Sequence, residues 1–248
     1  YLPDFANGRL VETPEEIITA IDTFLANNGQ LTLNDHLAGA LPELTSDLSQ
    51  AQCALFEQDG MDTTCLTTQT NFATHALASP FDGLWNAPHA NHLSIGQLDA
   101  RDVAASQQPY DQTLFVSIGC HAGLNVSQPS SGNIPHLDMA QALLSQGGSF
   151  IASTAYTYAS YLSTGYSEAL ALNLTEELVS GGSQPLGVAL MRAKQRYYAS
   201  RADWIDFTDE KVLVPQTLYG FPMLKIITPD APQAREIAQP NFATLTTS

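Results

Sequence analysis

From residue 81 onward, short apolar strands alternate with helical stretches, and each strand is closed by a loop before the next helix begins. Such alternation restricts the chain to an α/β architecture, because a helix crossing over between strands is what a parallel sheet requires. Residues 81–85 read as a brief strand that runs into a loop over 86–92, and a short helix is expected at 99–105. Residues 113–119, Thr-Leu-Phe-Val-Ser-Ile-Gly, read as a buried strand, and this strand delivers Cys120. A Gly/Ser/Pro-rich loop over 123–135 precedes a helix at 136–146. A strand at 149–153, helices near 160–180 and 185–200 and a last strand at 224–227 complete the pattern.

The earlier part of the chain is less regular. Residues 2–10 read as a short strand ending at Gly8-Arg9. Thr13-Pro14-Glu15-Glu16 then opens a helix, with threonine as cap, proline in the first turn and glutamate closing a capping box. Ile17, Ile21, Phe24 and Leu25 are expected to form one buried face of it, and the polar stretch 27–30 ends it. A helix is expected near 34–48, a strand at 53–56 and a helix at 71–78. Residues 1–229 are expected to form one domain, with 230–248 a polar, peripheral tail.

Composition narrows the function classes. The 248 residues carry 9 basic and 25 acidic side chains, a net charge of −16. Nothing in that balance could neutralise a row of phosphates, so nucleic acid is excluded as a partner. Hydrophobic residues at 44% suffice for a large core, and charged residues at 14% are too few for a disordered chain. No apolar run reaches the roughly 18–20 residues of a membrane helix. The chain opens on Tyr1 and is expected to be a processed or trimmed product; its acidic, lysine-poor composition suits a secreted or cell-envelope setting. The sequons at Asn125 and Asn173 read as chance occurrences.

Of three cysteines, Cys53 and Cys65 are expected to be small, buried thiols, although a bridge between them is open. Cys120 stands apart because it directly follows a buried strand. In open parallel sheets, ligands bind beyond the carboxyl ends of the strands, and His89 lies beyond the end of another strand. A cysteine and a histidine on neighbouring strand ends suit nucleophilic and acid–base chemistry. His75, in Phe72-Ala-Thr-His75-Ala, is the competing histidine, but its segment reads as a helix. His89-Ala-Asn-His92 also raises a zinc-hydrolase reading, with Asp99, Cys120 or His121 as further ligands. Zinc needs three or four convergent ligands, so that reading is the weaker one and no metal ligand is assigned. His36 and His136 show no chemical context.

Taken together, these segments resemble the gingipain-like cysteine peptidases, the C25 family of the caspase-like clan. Leu2-Pro-Asp-Phe-Ala-Asn-Gly-Arg9 with Thr13-Pro-Glu-Glu16 is similar to the family's strand, Gly-Arg and helix. Gly83-Leu-Trp-Asn-Ala-Pro-His89-Ala90 and Leu114-Phe-Val-Ser-Ile-Gly-Cys120 resemble the clan's strands ending in His-Gly and in Ala-Cys or Gly-Cys. His89 and Cys120 lie 31 residues apart, a spacing similar to the family's. Gly96–Asp102, Ala140–Leu143, Gly148–Thr154 and Leu218–Met223 match further recurring segments. The resemblance covers most of the chain, less well over 31–75.

The resemblance implies a caspase-like three-layer αβα sandwich with a mostly parallel central sheet, whose first strands would precede Tyr1. It implies a cysteine endopeptidase acting on protein or peptide substrates, with Cys120 as nucleophile and His89 as general acid/base. The backbone amides of Cys120 and Ala90 would hold the oxyanion. Ser153, Thr154 and Tyr156, with Tyr158, would border the primary specificity pocket, whose floor could carry Asp138, Asp99 or Glu168. No cofactor is required; calcium is common in the family, but no EF-hand-like pattern is present. Ala90 departs from the family's glycine. If the loop needs positive φ there, alanine would cost roughly 1 kcal/mol. The alternative is a degenerate binding module of the same fold.

Overall fold

The computed structural model describes residues 2–66, 69–126, 137–161, 163–180, 183–201 and 205–229. The tail over 230–248, His136 and most of the Gly/Ser/Pro-rich loop lie outside them.

Eight helices and twelve strands are formed among the described residues. The first part of the chain supplies α1 (Pro14–Ala26), β1 (Gln30–Thr32), β2 (Asp35–Ala40), α2 (Ser46–Gln58), β3 (Asp62–Leu66) and α3 (Gln69–Ala78). The middle supplies β4 (Gly83–Ala87), a small meander of β5 (Ala90–Asn91), β6 (Ser94–Ile95) and β7 (Leu98–Asp99), then α4 (Ala100–Ala105) and β8 (Leu114–Ser117). The last part supplies α5 (Met139–Leu144), β9 (Ser149–Ser153), α6 (Ser167–Ser180), β10 (Gln184–Pro185) and α7 (Leu186–Ser200). It closes with α8 (Phe207–Leu213), β11 (Gln216–Tyr219) and β12 (Lys225–Ile227).

The central sheet has the order β11-β9-β8-β4-β2-β3. Every neighbouring pair in it is parallel except β11 with β9. Side chains alternate between its faces, as a pleat requires. Trp85, Leu114, Val116 and Ile151 join one apolar layer with residues of α2, α6, α7 and α8. Leu84, Phe115, Phe150 and Ala152 join a second layer with residues of α3, α4 and α5. The result is a three-layer α/β sandwich with a mostly parallel sheet. A second sheet, β1-β12-β10, flanks it.

The alternation after residue 81 is present, with β9 falling on the expected residues. Helix α1 carries the expected capping box: Glu16 N–H donates to Thr13 Oγ1 at 3.2 Å, and Thr13 N–H donates to Glu16 Oε2 at 2.8 Å.

Residues 31–66 depart from expectation. The segment expected as a helix holds β2, and Cys53–Phe56 lies within α2 rather than in a strand. The inner face of α2 is partly polar, since buried Gln52 donates to Thr175 Oγ1 on α6 at 3.0 Å. The segment 2–10 forms no strand; Arg9 alone makes a bridge, exchanging backbone hydrogen bonds with Leu218 and Gly220. Strands β1, β10 and β11 and helix α8 were not anticipated.

Cys53 and Cys65 are joined in a disulfide, not free. It ties α2 to edge strand β3 and closes a loop of 12 residues. Constraint of the unfolded chain by such a loop is worth about 3 kcal/mol.

Candidate active site

Strands β4 and β8 lie side by side and parallel, with Gly83 opposite Leu114 and Asn86 opposite Ser117. Their carboxyl ends therefore open at the same edge of the sheet, where ligands bind in such folds. His89 lies two residues beyond β4 and is exposed; Cys120 lies three beyond β8 and is half-buried.

The two strand extensions touch. A Cβ on Gly119 would stand 2.4 Å from the Ala90 Cβ and 3.0 Å from the Pro88 carbonyl oxygen. Only glycine at 119 lets the chain entering Cys120 lie against the chain leaving β4. Ala90 is not at positive φ, so the strain anticipated there is absent. It belongs to β5, in extended backbone open to any residue. Its side chain occupies the space that Gly119 leaves.

The amide of Ala90 has a defined direction. Gly96 N–H donates to the His89 carbonyl at 2.9 Å, while Ala90 stands opposite Ile95. This makes Ala90 and Ile95 a non-hydrogen-bonded pair, whose N–H groups point away from the partner strand. Because β5 is an edge strand, the Ala90 N–H is directed outward from the meander.

After Cys120 the chain turns sharply. His121 takes the left-handed conformation with φ of 56°, a region in which His is enriched several-fold. Its N–H donates to the Ala155 carbonyl at 2.9 Å, and Gly123 N–H donates to the Ser153 carbonyl at 2.8 Å. The Tyr219 hydroxyl donates to the Gly123 carbonyl. The turn after Cys120 is thus fastened to the segment leaving β9. The His121 ring meets Tyr156 edge-on at 4.4 Å, with Nδ1 3.3 Å from the Thr154 carbonyl.

Residues of the segment after β9 differ in exposure. Ser153 is buried and its hydroxyl donates to the Ala155 carbonyl at 3.0 Å. Thr154 is half-buried and its N–H donates to the Pro215 carbonyl at 3.1 Å. Tyr156 is 66% exposed and presents an open aromatic face. Thr157, which sequence reasoning missed, lies against the sulfur, with Oγ1 3.3 Å from Cys120 Sγ. No local motif marks it, because its proximity depends on β8 and β9 being neighbours.

The three candidate carboxylates have different tasks. Asp138 caps α5 and accepts from Asn125 Nδ2, Val126 N–H and Gln141 N–H, each at 2.9 Å. Asp99 caps α4 and pairs with Arg101. Glu168, fully buried in the first turn of α6, accepts from Ser160 N–H and Gly165 N–H in the segment that follows β9. Burial raises its pKa, and among the described residues its Oε1 has no hydrogen-bond partner.

The competing histidines are elsewhere or otherwise engaged. His75 lies on α3, whose last residue precedes β4, at the amino end of the strands; its Nδ1 is 2.7 Å from the Asn71 carbonyl of its own helix. His92 lies in the β5–β6 turn, where its carbonyl accepts from Met139 N–H. Among the described residues, no three His, Cys, Asp or Glu side chains converge as metal ligands. His36 is enclosed in the sheet: Trp85 Nε1 donates to its Nδ1 at 2.9 Å, and Phe56 stacks on it at 4.0 Å.

The family model of peptidase family C25 matches residues 49–227. Comparison with curated proteins found no match. The matched span runs from α2 to β12 and includes both strand ends that carry His89 and Cys120.

Proposed function

The chain belongs to peptidase family C25, a family of cysteine peptidases, and from that premise we propose that it is an endopeptidase working through a Cys120–His89 dyad. The observation that carries this reading is the parallel adjacency of β4 and β8, with Gly119 packed on Ala90. That adjacency brings the one free cysteine of the sequence and an exposed histidine to the same sheet edge.

In the proposed reaction the Cys120 thiol gives its proton to His89, and the sulfur attacks the peptide carbonyl. The carbonyl π electrons move to oxygen, and the resulting oxyanion is held by the backbone N–H groups of Cys120 and Ala90. A preorganised contact of that type is worth about 3–4 kcal/mol. Collapse of this intermediate breaks the C–N bond, and His89 returns its proton to the leaving amine. Water then attacks the thioester, with His89 taking its proton, and releases the acid and the thiol. Outward direction of the Ala90 amide and freedom from backbone strain support its role. Tyr156 and Thr154 are proposed to border the substrate, with Ser153 shaping the wall from beneath.

The protein is proposed to act outside the cytoplasm, in a secreted or cell-envelope setting. The Cys53–Cys65 bridge supports this, because structural disulfides persist in oxidising compartments. No helix among the described residues is long and apolar enough to cross a membrane. A mixed peptide library followed by mass spectrometry tests the function: wild type is expected to cleave internal peptide bonds, and Cys120→Ala to cleave none. Equal cleavage by both proteins refutes the dyad. A wild type that neither cleaves nor alkylates faster at Cys120 than a free thiol points to a binding module.

A further inference from the structure

The strand order β9-β8-β4 sets Cys120 between two neighbours, His89 beyond β4 and Thr157 beyond β9. Thr157 surrounds the sulfur with three polar atoms. Its Oγ1 lies 3.3 Å from Cys120 Sγ, its N–H donates to Sγ at 3.5 Å, and its carbonyl lies 3.9 Å away. These are hydrogen-bond distances for sulfur, whose larger radius lengthens such contacts.

The residue is held in place on both sides. Two positions earlier, the Ala155 carbonyl accepts from His121 N–H. One position later, Tyr158 exchanges hydrogen bonds with Ser167: its N–H donates to Ser167 Oγ at 3.1 Å and its carbonyl accepts from Ser167 N–H at 3.0 Å. The Tyr158 hydroxyl also accepts from Lys211 Nζ at 3.0 Å. Thr157 therefore cannot drift from the sulfur without breaking bonds to the nucleophile turn or to α6.

We infer that Thr157 is a positioning residue that holds the Cys120 sulfur by two hydrogen bonds, on the side opposite the strand that carries His89. The inference rests on the proposed role of Cys120 and adds a residue to it. In the resting thiol, the S–H is directed to a threonine oxygen. When the proton has passed to His89 and sulfur carries the negative charge, Thr157 N–H and Oγ1–H both donate to it. No bond to Thr157 forms or breaks; it orients the nucleophile and supports its charge.

Replacing the hydroxyl with a methyl of the same shape isolates that contribution. Thr157→Val keeps the backbone donor and removes Oγ1–H, whereas Thr157→Ser keeps both donors. Hydrogen bonds to a charged group are among the stronger ones, so the valine variant is expected to alkylate at Cys120 with iodoacetamide about tenfold more slowly. Its kcat for peptide cleavage should fall by about the same factor with KM unchanged within twofold, and Thr157→Ser should restore both. Thr157→Ala, with less bulk, should match valine, and circular dichroism identifies any variant that has lost the fold. Alkylation of valine and alanine variants at the wild-type rate, or a serine variant as slow as valine, overturns the inference. If wild type cleaves no peptide, the alkylation contrast still decides the role of Thr157 while the peptidase reading fails separately.

Discussion

Each side of the central sheet carries a histidine and cysteine chemistry, put to opposite uses. On the β2–β3 side, His36 lies inside a strand between Phe56 and Trp85, and Cys53 is bridged to Cys65. On the β4–β8 side, His89 and Cys120 lie beyond the strand ends, the histidine exposed and the cysteine unbridged. A side chain within a parallel strand faces a helix layer and is recruited into packing. Two or three residues further along, the helices have not yet begun and the same side chain is left at the carboxyl edge of the sheet, where ligands bind in such folds. The residue type alone does not separate the two outcomes; its position relative to the strand's carboxyl end does.

The strongest challenge to this contrast is mutation of the histidines. His89→Ala is expected to lower kcat by about 10³-fold, in the range of general acid–base contributions. His75→Ala, at the opposite end of the sheet, should leave cleavage within a few-fold of wild type. Steady-state kinetics on one peptide substrate checks both, and the reverse pattern would break the comparison.

Reduction probes the β2–β3 side. Breaking the Cys53–Cys65 bridge should lower unfolding stability by about 3 kcal/mol, seen as a lower urea midpoint. Because Cys120 takes no part in that bridge, the folded, reduced protein should still cleave peptide.

Acid sharpens the contrast through His36. Burial pushes its pKa down to about 3 from the ordinary 6.5. The unfolded chain therefore binds a proton near pH 6.5 that the folded protein refuses. This contribution to stability is complete above pH 6.5 and declines as pH falls toward 3. Between pH 6.5 and 5 the decline should be about 2 kcal/mol. Urea titrations across that interval check it, and a His36→Gln variant should show a flatter slope.

The smallest expected effect concerns fit at the site. Gly119→Ala places a methyl against Ala90 and should lower kcat roughly tenfold, about the cost of mild overpacking. Adding Ala90→Gly vacates the space and should recover most of the loss. Losses that simply add would show that the two strand extensions are not coupled.

Legibility in the sequence follows the same contrast. Strand β9 was readable to the residue, because the apolar run Phe150-Ile151-Ala152, flanked by two serines, follows Gly147-Gly148 and has no competing helical periodicity. The α1 capping box was equally local. Strand β2, Asp-His-Leu-Ala-Gly-Ala, is buried along most of its length, yet its small side chains and histidine do not resemble a core strand. Helix α2 hides its inward face because Ser49 and Gln52 are buried there beside Leu48, Cys53 and Phe56. The placement of His89 and Cys120 beyond strand ends was legible because β4 and β8 are mostly apolar. Thr157 was not, since a threonine 37 residues from the cysteine reaches it only through the pairing of β8 with β9.

The most direct measurement is a titration of cleavage against modification of Cys120. The protein, with its disulfide intact, is treated with increasing iodoacetamide, and each sample is divided between peptide mapping and a cleavage assay. Residual cleavage should fall in proportion to the fraction of Cys120 modified and reach zero at one alkyl group per chain, with Cys53 and Cys65 still bridged. Cleavage that persists when Cys120 is fully modified would contradict its assignment as the nucleophile.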